Sequence, residues 1–315
     1  MIDKEKLRFV LTLFSSREAT ARHSRNETLK WLRHLEMSSR SKQDWHDLLS
    51  QLVSELTATG RLPGPEVNEL IEDQISRLQE SLVSVVTIYE RTYPRHLRET
   101  LDDSAPTFLF FRGNAELFDE IAMGFCGSRH ASDKGLEVCD DIVKQLVDHR
   151  VTIVAGYAAG VDQVAHLSAL RAGGNTIAVL AEGILNFGVR QILESDWDWS
   201  RSLVVSEFLP QSRWTAPRAM QRNRTIVGLG RALVVIEAKE SGGTFEAGKE
   251  ALALRHPLFA PIYENIQAQG NQILIAKGAT PIMKSRSTGR AKLGELLEHV
   301  TGNEISKVEQ KRLSI

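Results

Sequence analysis

Short, nearly continuous apolar runs separated by helical patterns restrict this chain more than any other feature of its sequence. The runs are Phe108 to Phe111, Ile121 to Cys126, Val151 to Val154, Thr176 to Leu180, Leu203 to Val205 and Ala232 to Ile236. Between most of them lie stretches with helical spacing, such as Leu136 to Val147 and Val161 to Leu170. Strands with one wet face alternate apolar and polar residues, whereas continuous runs mark strands covered on both faces, with the intervening helices as cover. The expected fold class is therefore α/β, with a doubly wound, mostly parallel sheet. Ligands of such sheets gather at the carboxyl ends of the strands, so the loops after these runs are the places to search for chemistry.

The first 83 residues read differently. Leu7, Val10, Leu11 and Phe14, then Leu48, Leu49, Leu52, Val53 and Leu56, make one apolar stripe per segment at helical spacing. A break at Gly60-Arg61-Leu62-Pro63-Gly64-Pro65 precedes a further stripe through Val67, Leu70, Ile71, Ile75 and Leu78. The expected organisation is a small all-helical domain of about four helices over 1–83. A sheet domain follows over 84–284, then a short helix from Lys292 to Val300 and a frayed tail within 285–315. After Gly278 one more strand is expected, Thr280 to Met283, and there is no room for a winged-helix domain.

No apolar run approaches the roughly 20 residues of a membrane-spanning helix, and the charged opening lacks the apolar core of a signal peptide. The expected location is the cytoplasm. Cys126 and Cys139 make neither a disulfide framework nor a zinc site, and they read as reduced, structural thiols. No metal and no cofactor is expected. A net charge of −1 excludes a surface coated in positive potential, so any nucleic-acid contact must come from a local patch. One such patch is visible between Glu207 and Glu237, which holds Arg213, Arg218, Arg222, Arg224 and Arg231 and no acidic residue.

Three loops carry the candidate chemistry. Gly127-Ser128-Arg129-His130-Ala131-Ser132 follows an apolar run and opens a helix, so unpaired N–H groups, a helix dipole and an arginine converge where an anion binds readily. Gly156-Tyr157-Ala158-Ala159-Gly160-Val161-Asp162 lets a helix start approach its strand closely, with Asp162 open to capping or ligand contact and His166 to a structural or a catalytic role. Ser241-Gly242-Gly243-Thr244 repeats the strand, glycine turn, helix arrangement, so two such turns can hold one polyanion from two sides. Glu246 behind it suits either the helix dipole or acid–base chemistry. Gly173-Gly174 reads as a helix stop without chemistry. A Walker-type loop ending in Lys-Ser/Thr and a full Gly-x-Gly-x-x-Gly are both absent, which counts against an ATPase or a dehydrogenase.

Taken in order, these residues resemble the DNA-processing protein A (DprA/Smf) family. The resemblance runs through Tyr93-Pro94 with Leu97, Pro106 to Phe111, Gly113-Asn114, Gly127-Ser128-Arg129-x-Ala131-Ser132-x-x-Gly135 and Gly156-x-Ala158-x-Gly160-Val161-Asp162-x-x-Ala165-His166. It continues through Gly173-Gly174-x-Thr176 to Leu180, Ser206-Glu207, Arg222-Asn223-Arg224-x-Ile226 and Ser241-Gly242. It implies an extended Rossmann-like domain that binds single-stranded DNA without cutting it. The family protects that DNA and passes it to a RecA-type recombinase during uptake, recombination or defence against foreign DNA, usually as a homodimer. The implied phosphate-binding residues are Gly127, Ser128, Arg129, Ser132, Gly156, Gly160, Arg222, Asn223, Arg224, Ser241, Gly242, Gly243 and Thr244, with Arg129, Arg222 and Arg224 lining one pocket.

Several positions depart from the family's pattern. Ala155 and Ala159 replace a serine and an arginine, and Ala219 replaces an aromatic residue, which leaves base stacking to Trp214 or Phe187. The family's Tyr-Pro and Asn element cannot be traced in Gly183 to Leu193, and Asp196-Trp197-Asp198-Trp199 is unexpected. Gly242-Gly243-Thr244-Phe245-Glu246 drifts toward the related nucleoside-monophosphate phosphoribohydrolases. Cleavage of a nucleotide is thus the alternative reading, and a partner-docking protein that kept the fold and lost its ligand is a third.

Overall fold

The protein is described here from a computed structural model, over residues 4–15, 42–60, 64–263 and 268–302. The tail after 302 and residues 61–63 of the predicted break lie outside the described residues. Among the described residues three helices come first, α1 (Lys4–Ser15), α2 (Lys42–Ala58) and α3 (Pro65–Glu80), and 16–41, where the expectation of about four helices also falls, lie outside the described residues. Then follow β1 (Ser84–Thr87), α4 (Arg95–Leu101), β2 (Phe108–Gly113), β3 (Ala122–Cys126), α5 (Asp133–Asp148), β4 (Thr152–Gly156) and α6 (Val161–Arg171). The chain continues with β5 (Thr176–Val179), the single turn α7 (Gln191–Glu194), β6 (Ser202–Ser206), α8 (Ala216–Leu229) and β7 (Leu233–Val235). It goes on through α9 (Gly243–Ala253), β8 (Leu258–Pro261), α10 (Gln269–Ala276) and β9 (Thr280–Ile282), and residues 294–302 are helical.

The strands make one nine-stranded sheet in the order β1-β2-β6-β5-β4-β3-β7-β8-β9. All neighbours from β6 to β9 are parallel, while β2 pairs antiparallel with both β1 and β6. From β3 the chain steps outward through β4, β5 and β6, then crosses back to lay β7 against the other side of β3. That reversal is the topological switch point of a doubly wound sheet, and it places the loops after β3 and β7 side by side.

Successive residues of each central strand feed opposite layers, as the two-residue period of a strand requires. Phe125 and Ile153 pack with Cys139, Ile142 and Val143 of α5, whereas Cys126 and Val154 belong to the cluster that includes Leu97 of α4 and Ile226 of α8. The three opening helices share that second cluster through Leu7, Leu11, Leu52, Ile75 and Leu78, and Lys6 reaches Glu90 at 2.6 Å. Burial lifts the Cys126 thiol to about 12 and drives the Cys139 thiol up as well, so both stay protonated packing groups.

Two strands fall outside the predicted runs. β1 and β8 are four residues each, and β8 lies between Pro257 and Pro261, too short for a periodic signal to register. The unexpected tryptophans also find an explanation here. Between β5 and β6 a single helical turn replaces the usual covering helix, and Tyr157, Phe187, Trp197 and Trp199 cover the sheet instead, each ring 5.0 to 6.2 Å from the next. Phe187 is thereby committed to packing rather than to base stacking.

At the opposite edge of the sheet His256 is 7% exposed, its Nε2 has no hydrogen-bond partner among the described residues, and its ring lies 6.2 Å from that of His96. Burial first, then the neighbouring His96 and His299, push its pKa down to about 4. A folded pKa below the unfolded value means that its contribution to stability is complete above about 6.5 and is lost as the pH falls toward 4. The predicted outcome is a urea midpoint that drops between pH 7 and pH 4.5. In His256→Gln that drop is shallower by up to roughly 1.4 kcal/mol per pH unit.

Candidate functional site

The site is built where two tight loops interlock. After β3, Gly127 lies against the first residue of α6, and a Cβ there would stand 2.5 Å from the Cβ of Val161, a fully buried residue. Gly160, at φ +74°, returns the contact, since a Cβ on it would meet the carbonyl oxygens of Ser128 and Arg129. The Val161 N–H donates to Ser128 O at 3.3 Å, and the Ser128 hydroxyl accepts from His130 N–H at 3.1 Å. Each loop holds the other, so Arg129 projects from a rigid base.

Below this junction lies Arg222, only 6% exposed. Its guanidinium fills the space that a side chain on Gly156 would need, which is why β4 ends in glycine. Nη1 donates to Val179 O at the end of β5 at 3.0 Å and stands 3.8 Å from Oδ2 of Asp162, while Nε has no partner among the described residues. Asp162 accepts from Ala158 N–H at 3.2 Å, so it binds the loop before its helix rather than capping the helix. His166 is fully buried, and burial lowers its pKa. The neutral ring donates from Nε2 to Gly156 O at 2.6 Å and meets the Thr176 hydroxyl at 2.7 Å through Nδ1. These bonds tie β4 to β5 and make His166 structural, with Asp162 not among its hydrogen-bond partners.

The start of α5, expected as an open anion site, is already occupied. Ser132 caps the helix by accepting from Gly135 N–H at 3.1 Å. Both its hydroxyl, at 2.8 Å, and its backbone N–H, at 3.1 Å, donate to the carboxylate of Glu237 at the end of β7. Glu237 did not stand out in the sequence because it is distant from Ser132 and follows an ordinary strand. The start of α9 is the open one: Gly242, at φ +100°, offers no capping side chain, and Ser241, Gly242 and Gly243 are exposed. Its first N–H groups therefore face solvent.

The three arginines do not share a pocket. Arg222 and Arg224, two residues apart on α8, point to different sides of the helix. Arg224 is half exposed and pairs with Glu250 of α9. Asn223 Nδ2 donates to Gly243 O at 3.1 Å and so joins α8 to the start of α9. Between these helices lies a cleft of about 770 Å³ lined by Glu207, Gln221, Arg224, Thr225 and Glu246. Glu246 is held by Lys249 at 2.9 Å. Burial raises the pKa of Glu207, which accepts from the hydroxyl of Thr225 at 2.7 Å.

Arg129 has a different companion. Its guanidinium carbon lies 5.0 Å from the ring centroid of Trp214, which precedes α8 and is 45% exposed. Arg213 is exposed beside it, and Arg218 donates to Arg213 O at 2.6 Å. The loop carrying Trp214 is anchored where Ser212 O accepts from Gly183 N–H and Asn186 Nδ2, each at 2.8 Å. The exposed aromatic on this edge is thus Trp214, in company with three arginines.

Comparisons with known proteins agree with this architecture. Residues 84–290 match the family described as DNA recombination-mediator protein A. The DNA processing protein DprA of Streptococcus pneumoniae is 33% identical over 175 residues, which cover 55% of this chain and 61% of that protein. DprA of Bacillus subtilis is 29% identical over 220 residues, covering 66% and 71%. The chain therefore spans about three fifths of the pneumococcal relative's length. Among solved structures, the X-ray structure of the pneumococcal DprA aligns with a TM-score of 0.60 at 25% identity, over 89% of this chain and 92% of that one. A DprA structure from Helicobacter pylori, described for its single-stranded DNA binding mode, aligns with a TM-score of 0.54 at 20% identity over 63% and 90%, and shares the fold.

The interlock of the two loops is directly testable. Gly127→Ala drives a methyl group into a buried, β-branched side chain, and the expected cost is about 1–3 kcal/mol of stability. Urea unfolding of the variant measures it, and an unchanged midpoint would refute the packing role.

Proposed function

Because the chain belongs to the DNA recombination-mediator protein A family, we propose that it binds single-stranded DNA along the carboxyl edge of its sheet. The observation that carries this reading is the Arg129–Trp214 pair on the exposed rim. A single strand presents unstacked bases and diester charges together. An exposed indole offers a stacking surface to any base, and guanidinium groups beside it meet the phosphates with bidentate geometry. Trp214 thus takes the place of the aromatic residue that Ala219 lacks. Sequence preference is expected to be small, since every base has a face to stack.

Within this reading the site residues divide by task. Arg129, with Arg213 and Arg218, contacts phosphate, while Ser241, Gly242, Gly243 and Thr244 offer the open N–H groups of α9 to the same strand. Gly127, Ser128, Gly156, Gly160, Ser132, Asn223 and Arg222 hold the loops that present them. The protein would act on DNA as a binder in the cytoplasm, working as a homodimer and passing its strand to a RecA-type recombinase. The helical part before residue 84 would form a unit of its own in sequence, docked on the sheet through the cluster that Leu7, Leu52 and Ile75 share with it. No helix among the described residues is long and apolar enough to cross a membrane.

The test is fluorescence polarisation with a labelled oligothymidine at two salt concentrations. Arg129→Ala is expected to weaken binding and to reduce the slope of log affinity against log salt by about 0.7, the share of one phosphate on a single strand. Trp214→Ala is expected to cost about 1–3 kcal/mol, with the salt slope unchanged. If the wild-type protein shows no binding at low salt, the reading is wrong.

Cleavage of a nucleoside monophosphate is the competing reading, and it requires Glu246 to act from the cleft between α8 and α9. That carboxylate is engaged by Lys249. Incubation with a panel of nucleoside monophosphates is expected to release no free base, and release of base would overturn the assignment as a binder.

A further inference from the structure

We infer that Glu237 selects the interior of a DNA strand over a terminal phosphate, by filling the helix terminus that a phosphomonoester would otherwise occupy. The inference rests on the DNA-binding reading above and adds to it a rule about which part of the strand is accepted.

In a doubly wound sheet the first strand–turn–helix at the switch point offers a phosphate its most favourable seat, on the N–H groups at the helix start. Here that seat is the start of α5, and a carboxylate of the protein itself sits in it. Glu237 Oε2 accepts from Ser132 Oγ at 2.8 Å and from Ser132 N–H at 3.1 Å, and Oε1 lies 3.3 Å from the same N–H. Ser132 Oγ in turn accepts from Gly135 N–H. The absence of a side chain at Gly135 is part of the arrangement, because a Cβ there would collide with Glu237 Oε2. Asp133, in the first turn of α5, adds a second carboxylate.

The charges determine what this closure rejects. A terminal phosphomonoester carries close to two negative charges at neutral pH and an interior diester carries one, so the monoester meets roughly twice the repulsion from the two carboxylates. The diester also has another seat nearby. Arg129 leaves the same loop three residues earlier and is stacked on Trp214 at the rim, where a backbone phosphate can meet it while a base stacks on the indole. The glycine turn that opens most mononucleotide sites is here closed from within, and binding moves outward to a surface suited to a continuous strand.

The experiment compares two oligothymidines of equal length, one with a 5′-phosphate and one with a 5′-hydroxyl, on the wild type, Glu237→Ser and Glu237→Ala. The affinity ratio between the two ends isolates the terminal phosphate, because a general change in charge acts on both oligonucleotides alike. In the wild type the 5′-phosphate is expected to give no advantage. In the variants it should strengthen binding by roughly tenfold relative to the hydroxyl, as for an anion admitted to a partly buried helix start. Inorganic phosphate should then raise the melting temperature of the variants alone. Glu237→Ser empties the seat while keeping a small polar side chain, so it decides the matter if the alanine variant does not fold. Folded variants whose ratio stays at the wild-type value, with no response to phosphate, overturn the inference. A wild type that binds neither oligonucleotide, with variants that respond to phosphate, refutes DNA binding and leaves the closure by Glu237 standing.

Discussion

The carboxyl edge of the sheet depends on one buried cation. Arg222 reaches from α8 to the ends of β4 and β5, where it replaces a side chain at Gly156, bonds to Val179 O and faces Asp162. A guanidinium taken this far from water loses several kcal/mol of solvation, and a single ion-pair contact at 3.8 Å recovers only part of it. What Arg222 contributes is geometry. It fixes the spacing of two strand ends and, through Asp162 and Ala158, the loop whose glycine seats Arg129. Its unpartnered Nε leaves positive potential directly beneath that loop.

From this base the protein treats its two glycine turns in opposite ways. Both follow adjacent parallel strands and both start helices, so backbone geometry alone makes them equivalent receptors for an anion. The difference lies in side chains: Ser132 and Glu237 satisfy α5, while Gly242 leaves α9 without a cap. An internal carboxylate is always present at high effective concentration, so a ligand competing for the α5 terminus must displace it, whereas one at α9 has only water to displace. Packing is thus concentrated on the closed turn, and accessibility on the open one.

Much of this was legible before the structure, for identifiable reasons. Continuous apolar runs such as Ile121 to Cys126 mark strands covered on both faces, and that pattern is local, so the parallel sheet could be read directly, whereas its switch point needed the strand order. The loops at Gly127, Gly156 and Gly242 were visible because glycine is required where another backbone or side chain comes within contact distance. The partners themselves were not legible. Glu237 meets Ser132 across more than a hundred residues of chain, and Trp214 meets Arg129 across a comparable span. The pairing of Arg222 with Arg224 failed for a simpler reason: neighbours in a motif are not neighbours on a helix, where two positions apart means different sides. Asp196 to Trp199 was unexpected from the family's pattern, yet a crossover that lacks its helix needs large rings to cover the sheet.

A chain of net charge −1 can offer a polyanion only what the local arrangement of its cations allows. Of the five arginines between Glu207 and Glu237, Arg222 is buried, Arg224 pairs with Glu250, and Arg231 donates to Val300 O. Arg213 and Arg218 lie at the rim with Arg129, Arg218 with one nitrogen already on Arg213 O, so the cations that this edge of one molecule offers a phosphate are few. On the proposed reading, counterion release from about three phosphates would give a modest salt-dependent affinity, far from that of proteins making six to ten contacts. Stacking on Trp214 would add a contribution of about 1–3 kcal/mol that salt does not screen. A second copy on the same strand would turn the next contact into an intramolecular one, raising the affinity without any new residue. On the proposed reading, few cations, one aromatic platform and a helix start already occupied by Glu237 would suit a strand long enough to cross more than one molecule.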